Sequence, residues 1–250
     1  MDPPRPSQRP GVRPPPLGLT GQPSDVSWGL RDVLIAIVAG YLGAAVVASV
    51  CASLGGWTTA AETPGWALFA AQIPLWAAMV GVPVWATRTR GSGPGPDLHL
   101  AFRWLDVPLG VAAGLVTQLG LVRLLYWPLG RWISSDRLEA PARDLADRFG
   151  GAWGAVLLVV MVCIAAPVAE EVLYRGLLLR SLQRRVGTTW AVVVSSLVFG
   201  AMHLQFVQFP GLALFGLVAA LLVVRTGRLG TSILAHVAFN AVTVVSLLQR

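Results

Sequence analysis

The sequence predicts an all-α protein, a polytopic bundle of about seven transmembrane helices. Three observations predict it. Of the 250 residues 55% are hydrophobic and 12% charged, against roughly 25% charge in soluble domains. The apolar residues gather in separate runs of about 20, the length that crosses about 30 Å of hydrocarbon at 1.5 Å per residue. Arginine and tryptophan sit at the ends of these runs, where membrane proteins carry their positive charge and aromatic belts.

Residues 1–27 come first. They hold eight prolines with Arg5, Arg9 and Arg13 and almost no apolar cluster. Such a stretch buries too little surface to offset its chain entropy, which predicts a disordered tail of extended polyproline character. It has no apolar region or small-residue site that would make it a signal peptide. The runs then follow as Val33–Leu54, Trp66–Ala86, Val107–Trp127, a long fourth region from Gly151 toward Leu182, Trp190–Val207, Leu212–Val224 and Ser232–Leu248. The number becomes eight if the fourth region splits. Residues 28–150 form an N-terminal set of membrane helices and interfacial segments, and residues 151–250 a C-terminal membrane core.

Two charged amphipathic stretches, Asp97–Asp106 and Leu138–Phe149, are expected as helices lying on the membrane surface. Trp57, Trp66, Trp85, Trp104, Trp127, Trp132 and Trp190 read as interfacial anchors, and His99 belongs to the interface too.

Orientation follows from the short loops. The stretches ending at Arg31, containing Arg88, Arg90 and Arg103, spanning Arg180–Arg185, and holding Arg225 and Arg228 are basic, whereas the alternate connections are neutral or balanced. The positive-inside rule then places the protein in the cell membrane with a cytoplasmic N-terminus. The net charge of +7 is distributed in this way and does not suggest nucleic-acid binding. All basic side chains are arginine, with no lysine, a bias of GC-rich, bacterial-type coding sequence. Two cysteines inside apolar runs, Cys51 and Cys163, offer no disulfide framework or CxxC metal site.

Ionisable groups at membrane depth cost at least ~2.5–3.5 kcal/mol for acids, so they face the bundle interior and mark function. The acids inside apolar runs are Glu170 and Glu171; His203 and His236 join them on later runs. Glu171 and Arg175, four apart, share a helix face and are expected to pair. Glu170 lies about 140° around from Arg175 and escapes that neutralisation. Tyr174 is placed to offer Glu170 a hydroxyl. His236 with Asn240 and Phe199 with His203 repeat the four-residue spacing, and Pro167 predicts a kink before the glutamates. Distances along the helices are compatible with one polar cavity, expected to open to the cytoplasmic side. A purely structural polar network would need one carboxylate for Arg175; a second carboxylate with two imidazoles is a surplus that argues for function.

EEVLYRG at 170–176, FGAMH at 199–203 and HVAFN at 236–240 resemble the EExxxR, FxxxH and HxxxN motifs of the CAAX-protease and bacteriocin-processing (Abi) family of intramembrane peptidases. The resemblance covers about residues 150–248 and implies a helical endopeptidase acting on a membrane-associated peptide or protein. It implies Glu170 as the base that activates water, His203 and His236 as groups that position the water or polarise the carbonyl, and Asn240 as an oxyanion donor. Glu171, Arg175, Phe199 and Tyr174 would support them. No metal is required on this reading; the alternative is one zinc ion on Glu170, His203 and His236, a familiar hydrolytic ligand set. A non-catalytic peptide-binding, immunity or scaffold protein with the same cavity is the competing class. A transporter would be expected to carry acids on several helices, and here both are on one.

Overall fold

The computed structural model describes residues 26–249; most of the expected tail, with its proline-rich character, lies outside the described residues. The chain is helical throughout its ordered elements. Helix α1 spans Leu30–Gly55 and α2 Gly65–Arg90, joined through a 3-10 turn at Ala60–Glu62. A short α3 (Pro94–Leu98) leads to α4 (Asp106–Val116), which runs on through a π turn (Thr117–Leu121) into α5 (Val122–Tyr126). Helix α6 is Ser135–Ala146. The fourth apolar region is one long rod: α7 (Gly151–Val159), a π turn (Val160–Ala165), α8 (Ala166–Glu171), a second π turn (Val172–Leu178) and α9 (Leu179–Met202). Helices α10 (Phe209–Thr226) and α11 (Leu229–Leu248) close the bundle.

Six of these helical stretches are long and apolar enough to cross a membrane, and the longest, Gly151–Met202, is 52 residues. It is divided at Gly187, whose backbone (φ 76°) leaves the helical region for one that only glycine enters without strain. The rod therefore forms two arms, 151–186 and 188–202, which recovers the seven runs of the sequence. Large apolar side chains cover the outside: Leu42, Val46 and Leu54 on α1 are 63%, 62% and 85% exposed. Such a surface is unstable in water and natural in lipid. This is a multi-pass membrane protein.

Close helix crossings use small residues, as packing without a hydrophobic drive between helices requires. Helix α4 lies on α11 through Gly110 and Gly114; a Cβ on Gly114 would sit 2.2 Å from the Ala235 carbonyl oxygen. The core they enclose includes Leu173, Leu177, Leu179, Phe199, Phe215 and Leu229.

The arginine-rich face is locked by acids that the sequence places only in loops or at run ends. Asp32 pairs with Arg90, Asp97 accepts from the Trp28 indole at 3.0 Å, and Asp106 pairs with Arg228 at 2.6 Å and accepts from Thr231 at 2.6 Å. All three carboxylates are buried. Donating to the Asp106 carboxylate holds the Arg228 guanidinium above its ordinary range.

One of the two expected surface helices is corrected. After α3, residues 99–105 are not helical. The amides of Leu229 and Gly230 donate to the carbonyls of His99 and Ala101 at 2.9 and 3.1 Å. Satisfying the first turn of α11 in this way holds the segment open. The other expectation corresponds to α6, capped by Ser134, whose hydroxyl accepts from the Arg137 amide.

Candidate active site

The two π turns of the long rod flank the glutamates. The first covers Val160–Ala165, where Pro167 has no amide hydrogen to return to the carbonyl of Cys163. Inserted π turns of this kind recur at functional sites because they reorient side chains without ending a helix. Between them, α8 presents Glu170 and Glu171 on different faces.

Glu171 faces inward. Its carboxylate is fully buried and receives Arg175 Nη1 at 2.8 Å, the expected ion pair. Arg175 also donates to the Gly216 carbonyl at 3.2 Å, and its guanidinium lies 4.3 Å from the centre of the Phe199 ring. The same Glu171 Oε1 lies 3.0 Å from His236 Nδ1. A carboxylate paired with an arginine accepts only, so His236 Nδ1 carries the hydrogen and donates it. Likewise His203 Nδ1 is 2.8 Å from the Phe199 carbonyl oxygen and donates to it.

In the neutral form of each ring with its hydrogen on Nδ1, Nε2 is a bare lone pair. The two Nε2 atoms turn to one atom of the other glutamate: Glu170 Oε2 is 3.9 Å from His203 and 3.8 Å from His236. Those separations are too long for direct hydrogen bonds. In that form three acceptors converge, and no hydrogen bond from a donor among the described residues reaches Glu170. The Glu170 side chain is 18% exposed and His203 26%, so they are reachable, while His236 is nearly closed off at 4%. Phe199, fully buried, packs edge-on against His203, His236 and Tyr174 and fixes the rings.

Asn240, one turn after His236, donates from Nδ2 to the Val162 carbonyl at 2.8 Å, a carbonyl of the first π turn. That leaves Nδ2 one further hydrogen. The expected Tyr174–Glu170 hydrogen bond is not formed; the Tyr174 ring instead packs on Phe199 at 5.4 Å. Tyr174 lies in the second π turn, where the four-residue face used for the expectation no longer holds.

The donor types Glu170, His203 and His236 suit zinc, but their spacing does not. Ligands about 2.1 Å from a tetrahedral zinc lie about 3.4 Å from one another, closer than the 3.8 and 3.9 Å found. Among the described residues no group of three His, Cys, Asp or Glu side chains is gathered to hold an ion. As placed, the side chains stand about 0.4–0.5 Å wider apart than a tetrahedral zinc set.

These groups line a cavity of about 530 Å³. Its other walls were not evident in the sequence: Gln72, Trp76 and Met79 from α2, Gln118 from the α4–α5 π turn, Thr243 from α11, and Leu138, Ala142 and Leu145 from α6. Gln118 donates to the Thr243 hydroxyl at 3.0 Å, while its carbonyl oxygen is buried without a partner among the described residues. Gln208 ties the other side of the mouth to α6 by donating to the Arg137 and Leu138 carbonyls at 3.0 Å each. Helix α6 and the 203–208 connection therefore wall the end of the cavity opposite the arginine-rich loops.

Residues 152–242 match the family profile of type II CAAX prenyl endopeptidases, Rce1-like. A candidate membrane peptidase of Bacillus subtilis (strain 168), YdiL, is 27% identical over 93 residues, covering 37% of this chain and 38% of that protein. An uncharacterised 24.3 kDa protein of Escherichia coli is 33% identical over 147 residues, covering 54% of this chain and 66% of its own length. The chain thus spans less than two thirds of each of these relatives. No solved structure matches it. The profile match begins just inside α7 and ends within α11, enclosing all three motifs and the acceptors that meet in the cavity: it is this C-terminal membrane segment that is similar to the Rce1-like type II CAAX prenyl endopeptidases.

Proposed function

We propose that the protein is an intramembrane endopeptidase that hydrolyses a peptide bond of a membrane-associated substrate with a glutamate-activated water. The observation that carries this reading is the convergence of Glu170 Oε2 and two imidazole Nε2 lone pairs without a donor among them. A water fits there, since it alone brings hydrogens to acceptors that otherwise face one another. It donates toward Glu170 and an imidazole, which aims its own lone pair into the cavity.

The step follows from those roles. Glu170 takes a proton as the water oxygen bonds to the scissile carbonyl carbon, and the second N–H of Asn240 is available to the oxyanion. When the C–N bond breaks, the proton on Glu170 passes to the leaving amine. Glu171 acts through His236: an ionised carboxylate on Nδ1–H keeps Nε2 bare, as a buried carboxylate orients imidazole in other hydrolases. No step runs through a metal.

By the positive-inside rule the N-terminus is cytoplasmic in the cell membrane, and the end of the cavity walled by α6 then faces outward. Substrates on this reading are anchored peptides or proteins whose cleavable bond lies near that face, whether or not they are prenylated.

Glu170→Gln tests the mechanism, because it keeps shape and removes the base. The expected loss is about 10²–10⁴-fold in rate with an unchanged melting temperature, read by comparing membrane peptides from cells carrying each form. Normal processing by the Gln variant would reject the mechanism; retained peptide binding with no processing by either form would favour a binding protein.

A further inference from the structure

A second cavity lies at the opposite end of the molecule from the mouth. It measures about 500 Å³ and is lined by Val26, Ser27, Trp28, Gly29, Leu30, Arg31, Asp32, Arg184 and Arg185. It sits where α1 begins and the first arm of the long rod ends before Gly187, on the arginine-rich face.

Its charge is positive and organised. Arg184 is stacked 3.8 Å from the centre of the Trp28 ring and donates to the Trp28 carbonyl at 2.6 Å, so its guanidinium plane is fixed. Arg185 donates with Nη1 to the Ser181 carbonyl at 3.1 Å. Gly29 leaves room beside it: a Cβ there would sit 3.3 and 3.4 Å from the Arg185 guanidinium nitrogens. The acid in the lining, Asp32, is already engaged by Arg90 and the Gly29 amide. Arg31 and Arg185 have no carboxylate partner among the described residues, and both are exposed. The 26-residue α1 also starts here, so the positive end of its dipole faces the same space.

We propose that this cavity binds the phosphate of an anionic phospholipid headgroup. Guanidinium groups match phosphate oxygens in pairs, and basic pockets between membrane helices at the membrane surface select anionic lipids. The half-buried apolar side chains of Val26 and Leu30 favour a lipid over a fully hydrated ion, since they leave a place for the glycerol and the first methylenes. This site is separate from the glutamate–histidine cavity and does not depend on its being a peptidase.

The test uses the purified full chain, titrated with phosphatidylglycerol, with phosphatidylcholine, and with inorganic phosphate, read by native mass spectrometry and melting temperature. Phosphatidylglycerol is expected to bind at least tenfold more tightly than phosphatidylcholine. Arg31→Ala and Arg185→Ala should each weaken it about fivefold, the scale of one basic residue at an anionic surface. Arg88→Ala, an exposed arginine at the end of α2 and outside the cavity, should leave it unchanged. Equal binding of the two lipids, or an equal loss from Arg88→Ala, would overturn the site in favour of diffuse surface charge. If inorganic phosphate at millimolar concentration stabilises the protein as well as the lipid and displaces it, the occupant is the soluble anion and the lipid assignment fails.

Discussion

Removing the Glu171 carboxylate tests the part of the site that is both scaffold and machinery. Glu171 and Arg175 are buried to 0% and 1% side-chain exposure and 2.8 Å apart. Glu171→Gln leaves the Arg175 cation without its counter-charge, and breaking such a pair costs about 3–5 kcal/mol. At 2–4 °C per kcal/mol for a chain of this size, the expected fall in melting temperature is about 6–20 °C. The same change replaces the acceptor that holds His236 Nδ1–H at 3.0 Å, so the bare Nε2 is no longer enforced and activity falls too. The two effects separate in a double variant. Glu171→Leu with Arg175→Met removes the pair together, which is often neutral or stabilising. That protein should recover most of the melting temperature and none of the activity. Detergent-solubilised protein scanned by fluorescence, alongside peptide cleavage, gives both readouts. A single Gln variant that melts within 1 °C of the parent, or a double variant that regains turnover, would refute the coupling of ion pair to imidazole.

Chelator treatment should leave turnover intact on the metal-free reading; loss of turnover that stoichiometric zinc restores would instead assign an ion to Glu170, His203 and His236. Reporter fusions after Arg90 and Gln208 should report cytoplasm and exterior respectively, and the reverse pattern would turn the cavity mouth inward. His99 is held neutral, its value pulled down to about 4 mainly by burial and secondarily by Arg180, whose Nη1 lies 3.4 Å from its Nδ1. A depressed histidine contributes its stability in full above its ordinary value near 6.5 and loses it as pH falls from there toward 4. Melting temperature should therefore drop over that window, and less steeply in His99→Asn, which tolerates the same left-handed backbone (φ 55°).

Local geometry made much of the protein legible. The seven runs follow from length and composition, and the Glu171–Arg175 pair from helix periodicity, because both depend only on neighbours in the chain. That Glu170 stays out of this pair was readable for the same reason: one turn separates Glu171, and not Glu170, from the arginine. What joins Glu171 to His236 is a contact across 65 residues, and no spacing encodes it. Tyr174 was misplaced because a π turn advances the register that a regular helix would keep. The 99–105 segment looked amphipathic, yet the amides opening α11 needed its carbonyls more than it needed to be a helix. Gln118 and Thr243, apart by 125 residues, give no local signal of sharing a wall with the motifs. Helix rise told how far the motifs lie from the arginines, but not that α6 would wall the space they share.

Helix α6 has a consequence for what can be processed. It stands as one wall of the mouth, tethered through Gln208, with Leu138, Ala142 and Leu145 turned toward the glutamate–histidine space. A space of about 530 Å³ takes a short length of extended strand and no folded domain. Cleavage would then be rationed by the local unfolding of the client near the bilayer, and recognition by sequence would come second. Intact ectodomains would be spared while frayed stems and short precursors are consumed, an economy set by the shape of the doorway.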